Sequence, residues 1–318
     1  AAIALWGALV AWPATAAAPA STGIKLPALF KPSPLQVLHV FGKAAQSGSL
    51  DGIYPEAGLV LASDGRFYGT TAAGGVYGYD PTIQTYGEGT VFSIDTQGHY
   101  TQVYSFHHVN ADGVFSNVDG REPNRGLIEG ADGLVGVAPY SGPNGSGTLF
   151  RLSRDGLSFT LLHAFDAGPG ATGGAAPESG LTQAPDGVLF GGTSEGGAAP
   201  NNPLGVLYRI GSNGSGYTVL RSYTDDAFGA FPEAAPLIAS DGRVYGLTTD
   251  LPGTLFSVNR DGSDYVVVHQ FDNQCEFYHA GFYPRLLEWS DGYLYGVCID
   301  GGGSGGTNGG GAAFRVAR

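Results

Sequence analysis

Pro55-Glu56-Ala57-Gly58-Leu59-Val60-Leu61-Ala62-Ser63-Asp64-Gly65-Arg66-Phe67-Tyr68-Gly69-Thr70-Thr71 is the stretch on which the fold turns: two short apolar runs about an Asp-Gly turn, with Pro-Glu at the entrance. An Asp-Gly between β-rich runs is a strong hairpin signal, because both turn residues tolerate the left-handed backbone. The rest of the chain repeats it. Pro123-Asn124-Arg125-Gly126-Leu127 leads to Asp132-Gly133, Pro177-Glu178-Ser179-Gly180-Leu181 to Asp186-Gly187, and Pro232-Glu233-Ala234 to Asp241-Gly242. A fifth copy, Leu286-Leu287 with Asp291-Gly292-Tyr293-Leu294-Tyr295-Gly296, lacks the Pro-Glu entrance. Repeats at such spacing speak to architecture more than to chemistry.

Two further strands follow each of the first four hairpins, and one follows the fifth. The third runs as Gly89-Thr90-Val91-Phe92-Ser93-Ile94, Gly147-to-Leu152, Gly205-to-Ile210, Gly253-to-Val258 and Ala312-to-Val316. The fourth runs as Thr101-to-Phe106, Thr160-to-Phe165, Tyr217-to-Tyr223 and Tyr265-to-Phe271, and none follows the last third strand. Leu35-Gln36-Val37-Leu38-His39-Val40-Phe41 has the fourth-strand pattern with no hairpin before it. The expected fold is therefore all-β, a five-bladed β-propeller of four-stranded antiparallel blades. Strand 35–41 is expected to close the ring by completing the last blade. Long insertions, from Gly42-to-Tyr54 to Asp300-to-Gly311, should gather on one face, the tight turns on the other. The Phe and Tyr residues near the Asp-Gly turns, such as Tyr68 and Tyr245, are expected to pack between blades. The glycines after them (Gly69, Gly191, Gly246, Gly296) should admit a neighbouring backbone or mark a bulge.

Composition narrows the partners. With 54 glycines, 19 prolines and 14% charged residues the chain borders on disordered composition, but periodic aromatic and β-branched runs reject disorder. A net charge of -13 with no basic cluster argues against nucleic acid. The run Ala1-to-Trp12, followed by Pro13 and the small residues Ala14-to-Ala20, reads as a signal peptide over 1–20, too short to span a bilayer. Residues 21–34 read as a linker, leaving 35–318 as the propeller. Export to the periplasm, cell surface or medium is expected, with no membrane span, and a monomer. Cys275 and Cys298, the only cysteines, would then form a disulfide.

The units Gly58-Leu59…Asp64-Gly65…Tyr68-Gly69-Thr70-Thr71…Gly74-Gly75…Gly89-Thr90-Val91-Phe92 resemble the Gloeobacter/Verrucomicrobia-type tandem repeat, the GloVer repeat, of secreted and surface bacterial proteins. The resemblance extends over most of residues 35–318. Copy two departs from it at Val135-Gly136-Val137-Ala138, where no Tyr is present. It implies an exported propeller-like repeat protein and brings no catalytic residues.

Candidate chemistry gathers at the Pro-Glu entrances. The common spacing to the Asp-Gly turns puts Glu56, Asn124, Glu178, Glu233 and Tyr283 at equivalent positions, and an innermost first strand would ring them about a channel mouth. Unpaired carboxylates so placed would raise a pKa or recruit a cation such as Ca²⁺. The plainer alternative is that each Glu accepts backbone N–H bonds at a strand entrance. His39, His163 and His269 share one repeated position on different blades, which argues against shared metal ligation. The group His107, His108, Asp112, Asp119, Arg121 and Glu122 reads as a solvated loop. Loop aromatics such as Tyr54, Tyr77, Tyr79, Tyr86, Phe115, Tyr140, Phe228, Phe277 and Tyr278 could stack on sugars. No nucleophile elbow, zincin, P-loop, Rossmann or EF-hand motif is present. The leading expectation is a non-enzymatic exported propeller that needs no cofactor and binds a glycan or an extracellular protein. The alternatives are a carbohydrate-active enzyme using Glu56, Glu178 and Glu233, or Asp225 or Asp226, and a structural surface-array module.

Overall fold

The structure, a computed structural model, describes residues 35–42, 51–76, 87–107, 110–111, 114–115, 118–168, 171–198, 203–224, 229–249, 253–271, 275–276, 285–298, 300–301 and 311–318. The leader and linker expected over 1–34 lie outside them. The chain divides into Ala1–Val37 and Leu38–Arg318. In the first, the described residues 35–37 form no strand.

The second unit is all-β among the described residues, and four of its sheets are four-stranded antiparallel meanders. Sheet one is Val60–Leu61, Phe67–Thr71, Thr90–Ile94 and Tyr100–Ser105. Sheet two is Leu127–Gly130, Gly133–Ala138, Thr148–Leu152 and Phe159–Ala164. Sheet three is Thr182–Gln183, Leu189–Gly192, Val206–Ile210 and Thr218–Ser222. Sheet four is Leu237–Ile238, Val244–Thr248, Thr254–Val258 and Val266–Gln270. Sheet five has three strands, Leu287–Glu288, Tyr293–Cys298 and Ala312–Ala317. Two short hairpin-like pairs, Asn110–Ala111 with Val114–Phe115 and Cys275–Glu276 with Asp300–Gly301, lie in the insertions.

Period-two alternation lets each central strand face two neighbours. In Gly133–Ala138, Leu134 and Ala138 join Tyr68, Val91 and Phe106 of the sheet before. Val135 and Val137, on the opposite face, join Leu189, Val206 and Tyr208 of the sheet after. Sheets three and four share Phe190, Leu207, Val244 and Phe256, and sheets four and five share Tyr245, Leu247, Leu255 and Leu294. Each core is thus built from two consecutive sheets. Among the described residues no such core joins sheet five to sheet one, and Leu59, Leu61 and Val297 are exposed.

Four of the five Asp-Gly turns share one geometry, in which the glycine alone takes the left-handed backbone. Asp64, Asp186, Asp241 and Asp291 each accept the backbone N–H two residues on. The aromatic packing expected of the repeated tyrosines carries a polar tie as well: Tyr68 Oη donates to Asp64 at 2.7 Å, Tyr245 to Asp241 at 2.8 Å and Tyr295 to Asp291 at 2.5 Å. Where Phe190 replaces Tyr, Asp186 instead pairs with Arg260 of sheet four at 2.6 Å. The glycines have a different role from the expected one. A Cβ on Gly69, Gly136, Gly191, Gly246 or Gly296 would strike the cross-strand ring of Phe92, Phe150, Tyr208, Phe256 or Phe314. What approaches is a side chain, not a backbone.

The closure expected of strand 35–41 is not seen among the described residues. Residues 35–40 adopt no strand, and among the described residues Ala312–Ala317 pairs with Tyr293–Cys298. Leu38–Phe41 is held by rings instead: His39 stacks on Tyr100 at 4.0 Å, and Phe41 meets Phe92 at 4.9 Å. Without a ladder partner an extended segment has no strand hydrogen bonds to make.

Candidate functional site at the strand entrances

Each inner strand is entered through a bent backbone. Tyr54, Glu122, Ala176 and Phe231, the residues before the four entrance prolines, all have left-handed φ of 51–60°. Such a conformation in non-glycine residues costs of order 1–3 kcal/mol each and persists only where the surroundings enforce it. Here the enforcement is visible. Glu122 O and Phe231 O accept from Asn124 N and Glu233 N at 2.7 and 2.8 Å across the intervening proline, and Tyr54 O accepts from Ala72 N. Bridges Ile53–Ala73, Arg121–Tyr140 and Ala175–Glu195 tie the entering segments to the insertions after the second strands. Both kinds of insertion therefore sit together, as the loop-face expectation requires.

The entrances converge. Glu56, Ala57 and Gly58 of the first copy line one cavity of about 220 Å³ together with Asn124 and Arg125 of the second, Gly180 of the third, Ala235 of the fourth and Arg285 of the fifth. Glu56 is exposed, while Asn124, Glu178 and Glu233 are half-buried. Tyr283, Asp225 and Asp226 lie outside the described residues, as do Tyr77, Tyr79, Tyr86, Phe228, Phe277 and Tyr278, and so does the side chain of Phe115.

Two clusters form from the rest. In one, Asn124 Nδ2 donates to Glu56 Oε2 at 3.4 Å. Beside it burial raises the pKa of Glu122, offset by Arg121 and reinforced by Glu88 and Glu56. In the other, Arg125, with only 4% of its side chain exposed, pairs with Glu178 at 3.2 Å, and Tyr140 Oη donates to the same carboxylate at 2.8 Å. Burial pushes the Tyr140 phenol up to about 12, and the Glu178 carboxylate adds to the shift. Burial, then the Glu178 charge, raises Glu233 to about 7, against the pull of Arg125 and a hydrogen bond from Thr249. Burial lowers the pKa of Arg125, while Glu178 and Glu233 hold it charged.

Glu178 is thus held by a cation and a phenol, not by the backbone amides that the plainer expectation assigned to it. Arg125 is the residue that sequence reasoning missed. Its signal was a departure from the repeat: the other copies carry Ala57, Ser179, Ala234 and Pro284 there. Buried Asp119, 2% exposed, was missed as well. Far from solvated, it accepts from Tyr104 Oη at 2.8 Å and from His107 N at 3.0 Å, and it pairs with His107 Nδ1 at 2.8 Å. The repeated histidines pack on rings: His163 stacks on Tyr217 at 3.8 Å, with its pKa lowered by burial, and His269 lies edge-on to Phe271. No group of three or more potential metal ligands occurs among the described residues. No helix among them is long and apolar enough to cross a membrane.

The family model of the Gloeobacter/Verrucomicrobia repeat matches residues 77–251. No curated protein matches the chain. Among solved structures, a chain from the crystal structure of a nidogen/laminin complex is similar at 11% identity and a TM-score of 0.45, over 81% of this chain and 78% of that one.

Proposed function

This chain belongs to the Gloeobacter/Verrucomicrobia repeat family, and on that premise we propose that it is an exported, non-enzymatic five-bladed β-propeller that binds a glycan at the inner end of its long-loop face. The observation that carries the reading is the single cavity lined by all five copies, with carboxylate, amide and guanidinium groups on its wall. Sites of a few polar groups held by rigid strands suit a hydroxyl-rich ligand. A glycan array probed with the exported protein, with and without Ca²⁺, tests it. Binding that Glu178→Gln weakens supports the reading, and an array without signal removes it.

Glu233 favours a second reading. A carboxyl raised to about 7 beside a second carboxylate is the arrangement a general acid needs, so glycoside cleavage is the alternative activity. Turnover of a bound oligosaccharide that Glu233→Gln abolishes would establish it.

Residues 35–41 complete sheet five in this proposal. The support is positional. A Cβ on Gly98 would meet Leu38 O, just as Gly156, Gly214 and Gly262 would meet Val103, Leu162 and Leu220 O, and those three residues lie in or beside fourth strands. His39 likewise stacks on Tyr100 as His163 stacks on Tyr217. Deleting residues 35–41 should lower Tm and unprotect the amides of Ala312–Ala317, and unchanged values would refute closure. A Cys275–Cys298 disulfide belongs to the same reading. Cys275 pairs across its short sheet with Gly301, close in sequence to Cys298.

A further inference from the structure

Resting on the glycan reading, we propose that the cavity takes one acidic sugar residue, a hexuronate, with its carboxylate paired to Arg285. Repeated residues serve the repeat, so a residue that breaks it needs another reason to be present. Arg285 stands where the other copies have Gly58, Gly126, Gly180 and Ala235. It is exposed and bridges to Ala235, and its Nη2 lies 3.7 Å from the Cβ position of Gly180, so it extends over the third copy's entrance.

The two guanidinium groups on the wall differ in state. Arg125 is buried and already matched by Glu178. Arg285 has no carboxylate partner among the described residues, and it is the cation left for a ligand. Opposite charges and acceptors complete the selection. Glu56 is exposed and engages a single described donor, Asn124 Nδ2. Its carboxylate is an acceptor, suited to hydroxyl donors. One carboxylate for Arg285 and hydroxyls for Glu56 is the inventory of a uronate. A phosphate monoester, at about −1.5 to −2, would bring more negative charge toward Glu56 than a carboxylate does. The cavity volume of about 220 Å³ is below the roughly 300 Å³ at which drug-sized pockets begin, which limits the occupant to one small residue. No aromatic ring among the described residues lines the cavity.

Calorimetry on the full chain with oligogalacturonate, its methyl ester and a neutral oligosaccharide of equal length tests the inference. The expected result is binding of the acid alone, weakened about tenfold or more by Arg285→Gln, the worth of a charge-assisted pair. Arg285→Lys should retain part of it. Equal binding of the ester or the neutral sugar overturns the uronate assignment and leaves the glycan reading standing. Binding of the acid that Arg285→Gln does not change also overturns it. No binding of any saccharide here or on the array removes both.

Discussion

The ring of Phe92 lies across the backbone of Gly69, its Cζ 2.6 Å from where a Cβ would stand. The two are directly opposed in the second and third strands of sheet one, and the other four sheets repeat the relationship. Gly69→Ala should therefore destabilise the chain by about 1–3 kcal/mol through overpacking, although alanine normally suits a strand interior better than glycine. Urea unfolding checks this. An unchanged or raised midpoint would mean that the ring simply moves aside.

Arg125→Met removes the cation between Glu178 and Glu233. Losing one partner of a buried pair costs about 3–5 kcal/mol, since the remaining charge stays desolvated. The double variant with Glu178→Gln should recover part of the loss. Chemical denaturation of the single and double variants decides it, and additive losses would show that the pair is not coupled.

Glu233 makes stability depend on pH. Its carboxyl is raised from 4.5 to about 7 in the folded chain, so between those values the folded state holds more protons than the unfolded one. Its contribution is fully present below pH 4.5 and is lost as pH rises through about 7. Tm should fall across that window, and Glu233→Gln should flatten the decline. A slope that Glu233→Gln leaves intact would assign the effect to another group.

The proposed Cys275–Cys298 bridge closes a loop whose removal should cost about 3 kcal/mol in the chain-entropy estimate. Alkylation of the denatured chain should add label only after reduction. Labelling without reduction would show free thiols.

The interface between sheets one and two is clamped outside its core. Ser63 N and Oγ donate to Glu129, which Arg154 also holds. The same triad recurs between sheets four and five as Ser240, Glu288 and Arg318. Hydrogen bonds from Ser63, then Arg154, hold Glu129 below its usual pKa, so the clamp should weaken as pH falls through the carboxylate range. Glu129→Gln should lower Tm at neutral pH and leave it nearly unchanged at acid pH, as thermal melts at both values would show.

Sheet content was legible because alternation and Asp-Gly turns are local signals, and residues such as Val135 and Leu134 announce opposite faces by adjacency alone. The entrance glutamates were legible as a set for the same reason. Their partners were not. Arg125 reaches Glu178 across copies, and a pairing of that range leaves no mark in spacing. Asp119 read as solvated because its neighbours are polar, yet tertiary packing buries it beneath Tyr104 and His107. The closing strand was read from pattern, which specifies a strand's faces but not whether its edge finds a mate.

Every core described here is half one copy and half the next. No single copy is thus an autonomous folding part, and a cut between any two leaves an oily surface on both fragments. Such a protein can gain or lose sheets in evolution only by whole copies, and whichever copies stand first and last inherit the task of hiding a face that has no sequence neighbour.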